Sequence, residues 1–225
     1  MSLVISFVNQ KGGVGKSTLS VNVAACLASM KRKVLLIDAD KQGTSSTWAS
    51  LREETPFQIV SMARENMARD AMKLATDFDF TIVDGPPQAE TISRSCIAAS
   101  DLVVVPIEPG GASRWSSELT IRQLKEAQEF KPTLKCGFVV SRKIAGTVLG
   151  RDACKMAEDA GIPMFDTAIE QRIAFAEAMT MGKSIFEWAA KSPAVRDIQT
   201  LTHELLDVLN EQELHPRTKA KTANR

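Results

Sequence analysis

The sequence predicts an α/β protein, a single domain built on a mostly parallel, twisted sheet with helices on both faces. Short apolar runs alternate with longer segments of helical period along nearly the whole chain, the pattern of strand–helix crossovers. Most of those runs are continuously apolar rather than alternating, as strands covered on both faces must be. No stretch rich in Gly, Pro or Ser divides the 225 residues, and that length is ample for one core.

Taken in order, strands are expected at Leu3–Val8, Val34–Ile37, Phe57–Val60, Phe80–Val83, Leu102–Ile107 and Gly137–Ser141. Helices are expected between them near 17–31, 65–76, 88–99, 113–129 and 147–160. In the last of these, Val148, Cys154 and Ala157 share one face, with Arg151, Lys155 and Glu158 elsewhere. Two closing helices, roughly 171–181 and 194–211, complete a domain spanning 1–212. Residues 213–225 read as a polar, disordered tail; from His215 onward it carries Arg217, Lys219, Lys221 and Arg225 and no acid. Right-handed crossovers would place a ligand at the carboxyl ends of the strands.

Composition narrows the function. Hydrophobic residues at 44% and charged residues at 24% describe a globular chain. Lys+Arg number 28 against 27 Asp+Glu, so bulk charge does not mark a nucleic-acid binder, and any DNA affinity needs a local patch. Cys26, Cys96, Cys136 and Cys154 form no C-x-x-C pair and read as reduced thiols packed as small apolar groups. The start, MSLVISFVN, lacks the basic region of a targeting peptide. No apolar run reaches the roughly 18 residues of a membrane span. A cytoplasmic protein without a membrane partner is expected.

The strongest local signal is Gln10-Lys11-Gly12-Gly13-Val14-Gly15-Lys16-Ser17-Thr18. It follows a strand and opens a helix, the context of a phosphate-binding loop. Glycines let backbone N–H groups turn inward to phosphate oxygens, and the helix adds its N-terminal donors and dipole. Lys16 should meet the β- and γ-phosphates, and Ser17 should place its hydroxyl on Mg²⁺. Asp84, closing Thr81-Ile82-Val83, stands where a P-loop protein keeps the carboxylate that orders the Mg²⁺ shell. Asp38 and Asp40 end the second strand.

The first glycine of the ordinary G-x-x-x-x-G-K-[ST] pattern is replaced by Gln10, and Lys11 follows it. With these residues the chain resembles the ParA/MinD family of ATPases, whose deviant Walker A motif reads K-G-G-x-G-K-[ST]. The resemblance implies that Lys11, Gly12, Gly13, Val14, Gly15, Lys16, Ser17 and Thr18 bind nucleotide. It implies that Lys11 crosses a dimer interface to the partner's ATP, that Asp38 sits near the metal, and that Asp40 positions the attacking water. Lys41 stands where the family usually has Pro in D-P-Q-G. Val139 to Lys143 is similar to the family's base-side element, which would lay Arg142 along the adenine. Thr167 to Arg172 and Ala176 to Ala178 are similar to its closing pattern near base and dimer surface.

The similarity runs from Leu3 to about residue 211 and lies nearest the small ParF-like plasmid partition ATPases. It implies an ATP-bound homodimer, nucleoid-associated through DNA bound without sequence preference, and a centromere-binding partner that stimulates hydrolysis. Arg142, Lys143, Arg151, Lys155, Lys183, Lys191 and Arg196 are the candidate DNA residues once two chains pair. Three other classes share features of this sequence. A MinD-like or protein-cargo positioning ATPase would act on a membrane or protein surface, although the tail lacks a bulky apolar face. An iron–sulfur reductase would draw on Cys96 and Cys136, and a dethiobiotin-synthetase-like ligase would need a second substrate pocket. His203 and His215 lie far along the chain from the phosphate loop, which argues against a metal or catalytic role for either.

Overall fold

The chain forms strands at Leu3–Phe7 (β1), Val34–Asp38 (β2), Gln58–Ser61 (β3), Phe80–Asp84 (β4), Leu102–Ile107 (β5), Lys135–Lys143 (β6) and Met164–Glu170 (β7). Helices occupy Lys16–Ser29 (α1), Thr44–Ser50 (α2), Met67–Leu74 (α3), Glu90–Ala99 (α4), Ala112–Phe130 (α5), Arg151–Ala160 (α6), Ile173–Thr180 (α7), Ile185–Trp188 (α8) and Pro193–Leu214 (α9). The computed structural model describes residues 2–109, 112–144 and 151–214. Val148 and the tail from His215 to Arg225 lie outside them, and α9 runs two residues past the expected boundary at 212.

One seven-stranded sheet takes the order β3-β2-β4-β1-β5-β6-β7, and each adjacent pair is parallel. The continuous hydrophobicity has the expected cause: every residue of β2, β4 and β5 is buried. Ile5 and Phe7 of β1 pack in one core layer with α1 and α9, and Val4 packs in the other with α3 to α6. At roughly 1.5–3 kcal/mol for each large side chain buried, these two layers supply the main stabilisation. Trp48 of α2 closes the first layer, stacked on Phe57 at 5.6 Å between ring centroids.

Four elements depart from expectation, one of them the short α8, which lies between the two expected closing helices. β7 had no strand signal because Asp166 and Glu170 interrupt its apolar residues. It forms at the sheet edge, where one side chain in two meets solvent, and Glu204 of α9 accepts the Asp166 and Thr167 N–H groups at 2.6 and 3.1 Å. That carboxylate covers part of an otherwise open edge. α2 reads TSSTWAS, poor in helix formers, and tertiary bonds hold it. On α6 the buried positions are Ala153, Met156, Ala157 and Ala160, the i, i+3, i+4, i+7 stripe. Cys154 lies beside that stripe and is exposed, contrary to the expected packing of all four thiols.

The topology positions the site. β1 sends its crossover towards β2, and β5 sends its own towards β6, so the loops at their carboxyl ends diverge. Register sets Phe7 opposite Asp84 and Asp38 opposite Asp84. The ends of β1, β2 and β4 are therefore level beneath the glycine-rich loop.

Candidate functional site

The loop after β1 starts from a buried polar anchor. Asn9 Nδ2 donates to the Pro106 carbonyl at 2.7 Å and Asn9 Oδ1 accepts the Lys11 N–H at 3.0 Å. Gln10, standing where a glycine is usual, is buried, with Nε2 donating to Ser93 Oγ of α4 at 3.1 Å. Its amide N–H reaches Thr120 Oγ1 of α5 at 3.3 Å. Side chain and backbone of Gln10 thus fasten the loop to one helix each, α4 and α5. Further on, Gly13 and Gly15 take φ of 78° and 93°, a region hostile to a Cβ. Gly15 is the N-cap of α1 and carries no side-chain cap, which leaves the first N–H groups of the helix available to an anion.

Lys16 lies over this loop, with Nζ donating to the Lys11 carbonyl at 2.9 Å. Burial lowers its pKa, against the opposing pull of Asp84 and Asp40. Lys11 points elsewhere: its Nζ meets Glu108 Oε2 at 2.6 Å, just past β5. Glu108 also takes Arg142 Nη1 at 3.3 Å, and the same Nη1 donates to the Gly13 carbonyl at 2.8 Å. Arg142 holds φ of 58°, a conformation that costs a non-glycine residue of order 1 kcal/mol or more, so these bonds position it against a local penalty.

Asp38 and Asp84 are both fully buried. Asp38 Oδ2 accepts the Ser46 N–H at 2.7 Å and Oδ1 accepts the Asp40 N–H at 3.2 Å. Asp84 Oδ2 accepts the Ser45 hydroxyl at 2.7 Å, and Ser20 Oγ approaches Oδ1 at 3.5 Å. Burial pushes the Asp84 carboxyl up to about 7, with the Asp38 charge adding to the rise; hydroxyls of Ser45 and Ser17 and the Lys16 ammonium oppose it. Asp40 is half-buried, and its Oδ1 accepts the Gln42 N–H at 3.0 Å in a tight turn that leaves Lys41 exposed.

Beside the loop opens a cleft of about 710 Å³ lined by Gly13, Thr18, Arg142, Ile144, Glu170 and Phe175, among others. The uncapped N-terminus of α1 and the Lys16 ammonium suit phosphate. Ser17, Asp38 and Asp84 form an oxygen-only donor set suited to Mg²⁺, which binds through one or two carboxylates together with nucleotide phosphates. Among the described residues no three acids, histidines or cysteines cluster as an all-protein metal cage.

The structure thus gathers Lys11 to Thr18, Asp38, Asp40, Asp84 and Arg142 at one end of the sheet. It does not gather the basic residues within one chain. Lys155 lies on α6, over one face, whereas Lys183, Lys191 and Arg196 flank α8 and α9 on the other. Glu108, Ser45 and Ser46 escaped the sequence reading. Glu108, an acid directly after an apolar strand, carried the same signal as Asp84. Cys96 and Cys136 pack in one core layer, where burial raises both thiols, Cys136 to about 11. No described helix is long and apolar enough to cross a membrane.

The sequence model described as CobQ/CobB/MinD/ParA nucleotide binding domain matches residues 5–185. Maintenance of carboxysome distribution protein A of Halothiobacillus neapolitanus is 26% identical over 214 residues, covering 93% of this chain and 96% of its own length. The chromosome-partitioning ATPase Soj of Thermus thermophilus is 27% identical, with 90% and 94% covered. The septum site-determining protein MinD of Pyrococcus horikoshii, solved with Mg-ADP, superposes with a TM-score of 0.74 at 18% identity, over 91% of this chain and 96% of that one.

Proposed function

The chain belongs to the CobQ/CobB/MinD/ParA nucleotide-binding family, and on that premise we propose that it is a ParA-type partition ATPase. ATP binds through Lys11 to Thr18, with Lys16 on the β- and γ-phosphates, the base and ribose in the cleft, and Arg142 at the base side. Ser17, Asp38 and Asp84 hold Mg²⁺, which when bound neutralises charge developing on the phosphate oxygens. Asp40 orients a water for attack on the γ-phosphorus; the bond to the bridging oxygen breaks, giving ADP and phosphate.

The observation that carries the switch is the divergence of the two lysines. Lys16 folds over its own loop, while Lys11 Nζ is engaged outside that loop by Glu108. A second copy docked face to face would offer Lys11 a phosphate in place of that carboxylate, much as an arginine finger is offered one. Hydrolysis is then slow in one chain and quickens when dimer and partner complete the site. The ATP-bound dimer binds DNA without sequence preference, a centromere-bound partner stimulates hydrolysis, and release of the dimer moves plasmid or chromosomal DNA. A relative named as a chromosome-partitioning ATPase supports this reading.

Protein-cargo positioning on the same scaffold is the second reading, supported by the relative named for carboxysome distribution. Binding to random-sequence duplex DNA with ATP, ADP or no nucleotide, at two salt concentrations, separates the two. Binding confined to ATP, weakened by salt as phosphate contacts release counterions and lost in Lys11→Ala, is the expected result. ATPase activity without any DNA binding would transfer the proposal to a protein or membrane surface.

A further inference from the structure

Asp84 is held from α1 and α2 together. Ser20 of α1 approaches Oδ1 at 3.5 Å. The closest donor is Ser45 of α2, whose hydroxyl reaches Oδ2 at 2.7 Å and is fully buried. Ser45 performs no capping of its own helix. The N-cap of α2 is Gly43, without a side-chain cap, and the first-turn Ser46 N–H is satisfied by Asp38 Oδ2 at 2.7 Å. Neighbouring residues of one helical turn therefore grip the two buried carboxylates that face each other across β2 and β4.

We infer that Ser45 is a positioning residue for the divalent cation: it fixes the rotation of the Asp84 carboxylate so that Oδ1, on the α1 side, is presented to the Mg²⁺ shell. This rests on the assignment of Asp84 to the metal site. A carboxylate turns readily about its Cα–Cβ and Cβ–Cγ bonds, and one short hydroxyl bond on Oδ2 leaves Oδ1 as the oxygen turned towards α1. Ser45 never touches the cation. It acts through Asp84, as partners behind metal ligands generally do, and their loss typically weakens metal affinity about ten- to a hundredfold.

Mn²⁺ titration with protein in excess over ATP, read as loss of the free-Mn²⁺ EPR signal beyond that of an ATP-only control, tests the assignment on full-length protein. Ser45→Ala should weaken Mn²⁺ binding about tenfold, leave ATP binding in EDTA unchanged, and raise the KM for Mg²⁺ while kcat at saturating Mg²⁺ is kept. Ser45→Cys, close in size and a weaker donor, should fall between the two and carries the test if the alanine variant does not fold. A residue that only tethered α2 would lower Tm and leave Mn²⁺ affinity alone; affinity within twofold of wild type in a folded variant overturns the inference. Failure of the wild-type protein to take up Mn²⁺ with ATP would instead overturn the metal-site reading beneath it.

Discussion

Lys11 Nζ and Glu108 Oε2 stand 2.6 Å apart, joining the start of the glycine-rich loop after β1 to the residue that follows β5. Both side chains are about seven-tenths covered, at 29% exposure each, and Glu108 shares its other oxygen with Arg142. A lysine held in this way is tethered within its own chain. Any task it performs on a second chain begins with the loss of this pair.

That competition gives the first prediction. Lys11→Ala should bind ATP yet remain monomeric in analytical ultracentrifugation. Glu108→Gln removes the charge that tethers Lys11 and should lower the ATP concentration needed for dimerisation. A pair of this exposure is worth at most about 1 kcal/mol, so the shift should be no more than about fivefold. Full turnover by a monomeric Lys11→Ala protein would refute the cross-subunit role.

Lys16 and Asp40 should separate binding from chemistry. Lys16→Ala removes the charge buried over the loop and should abolish ATP binding measured by calorimetry. Asp40→Ala should retain ATP, reduce single-turnover hydrolysis by at least about a hundredfold as loss of water positioning does, and accumulate dimer.

Gly15→Ala tests backbone geometry. A Cβ there would stand 2.8 Å from Ser141 Oγ, a hydroxyl that can rotate away. The φ of 93° cannot be relieved so easily, and it should cost about 1–2 kcal/mol. A fall in the denaturant midpoint, with a larger loss of nucleotide affinity than of stability, is the expected pair of results.

Glu187 gives a pH signature remote from the site. Arg52 donates to both its oxygens at 2.7 and 2.9 Å, and Ser184 N–H donates to Oε2 at 2.8 Å. The Arg52 hydrogen bonds foremost, with Ser184 assisting against partial burial, lower its pKa from 4.5 to about 2. The folded value is depressed, so the stabilisation is complete above the unfolded pKa of 4.5 and is lost as pH falls towards 2. Glu187→Ala should cost about 1 kcal/mol at neutral pH. Thermal melts of variant and wild type should converge across that acid window.

How much of this was legible beforehand follows from where each signal resides. The phosphate loop, α1 and the strand-ending aspartates are written in consecutive residues, because inward N–H groups, a helix N-terminus and a Walker B carboxylate all arise from local chain order. The continuous apolar runs of β2, β4 and β5 likewise announced a sheet buried on both faces. α2 and β7 were silent, since one depends on Asp38 and Trp48 for its stability and the other on pairing with β6 and cover from Glu204.

The sequence alone therefore determined the α/β class, the loop chemistry and the identity of the charged groups, through spacings of a few residues. Tertiary structure alone decided that Lys11 faces Glu108, that Arg142 reaches the Gly13 carbonyl, that Ser45 grips Asp84, and that Lys155 and Arg196 lie on helices over opposite faces of the sheet. The bonded pairs are separated by 39 to 129 residues. Only the strand order and its crossovers bring such distant positions within a hydrogen bond of each other, and no local propensity encodes that.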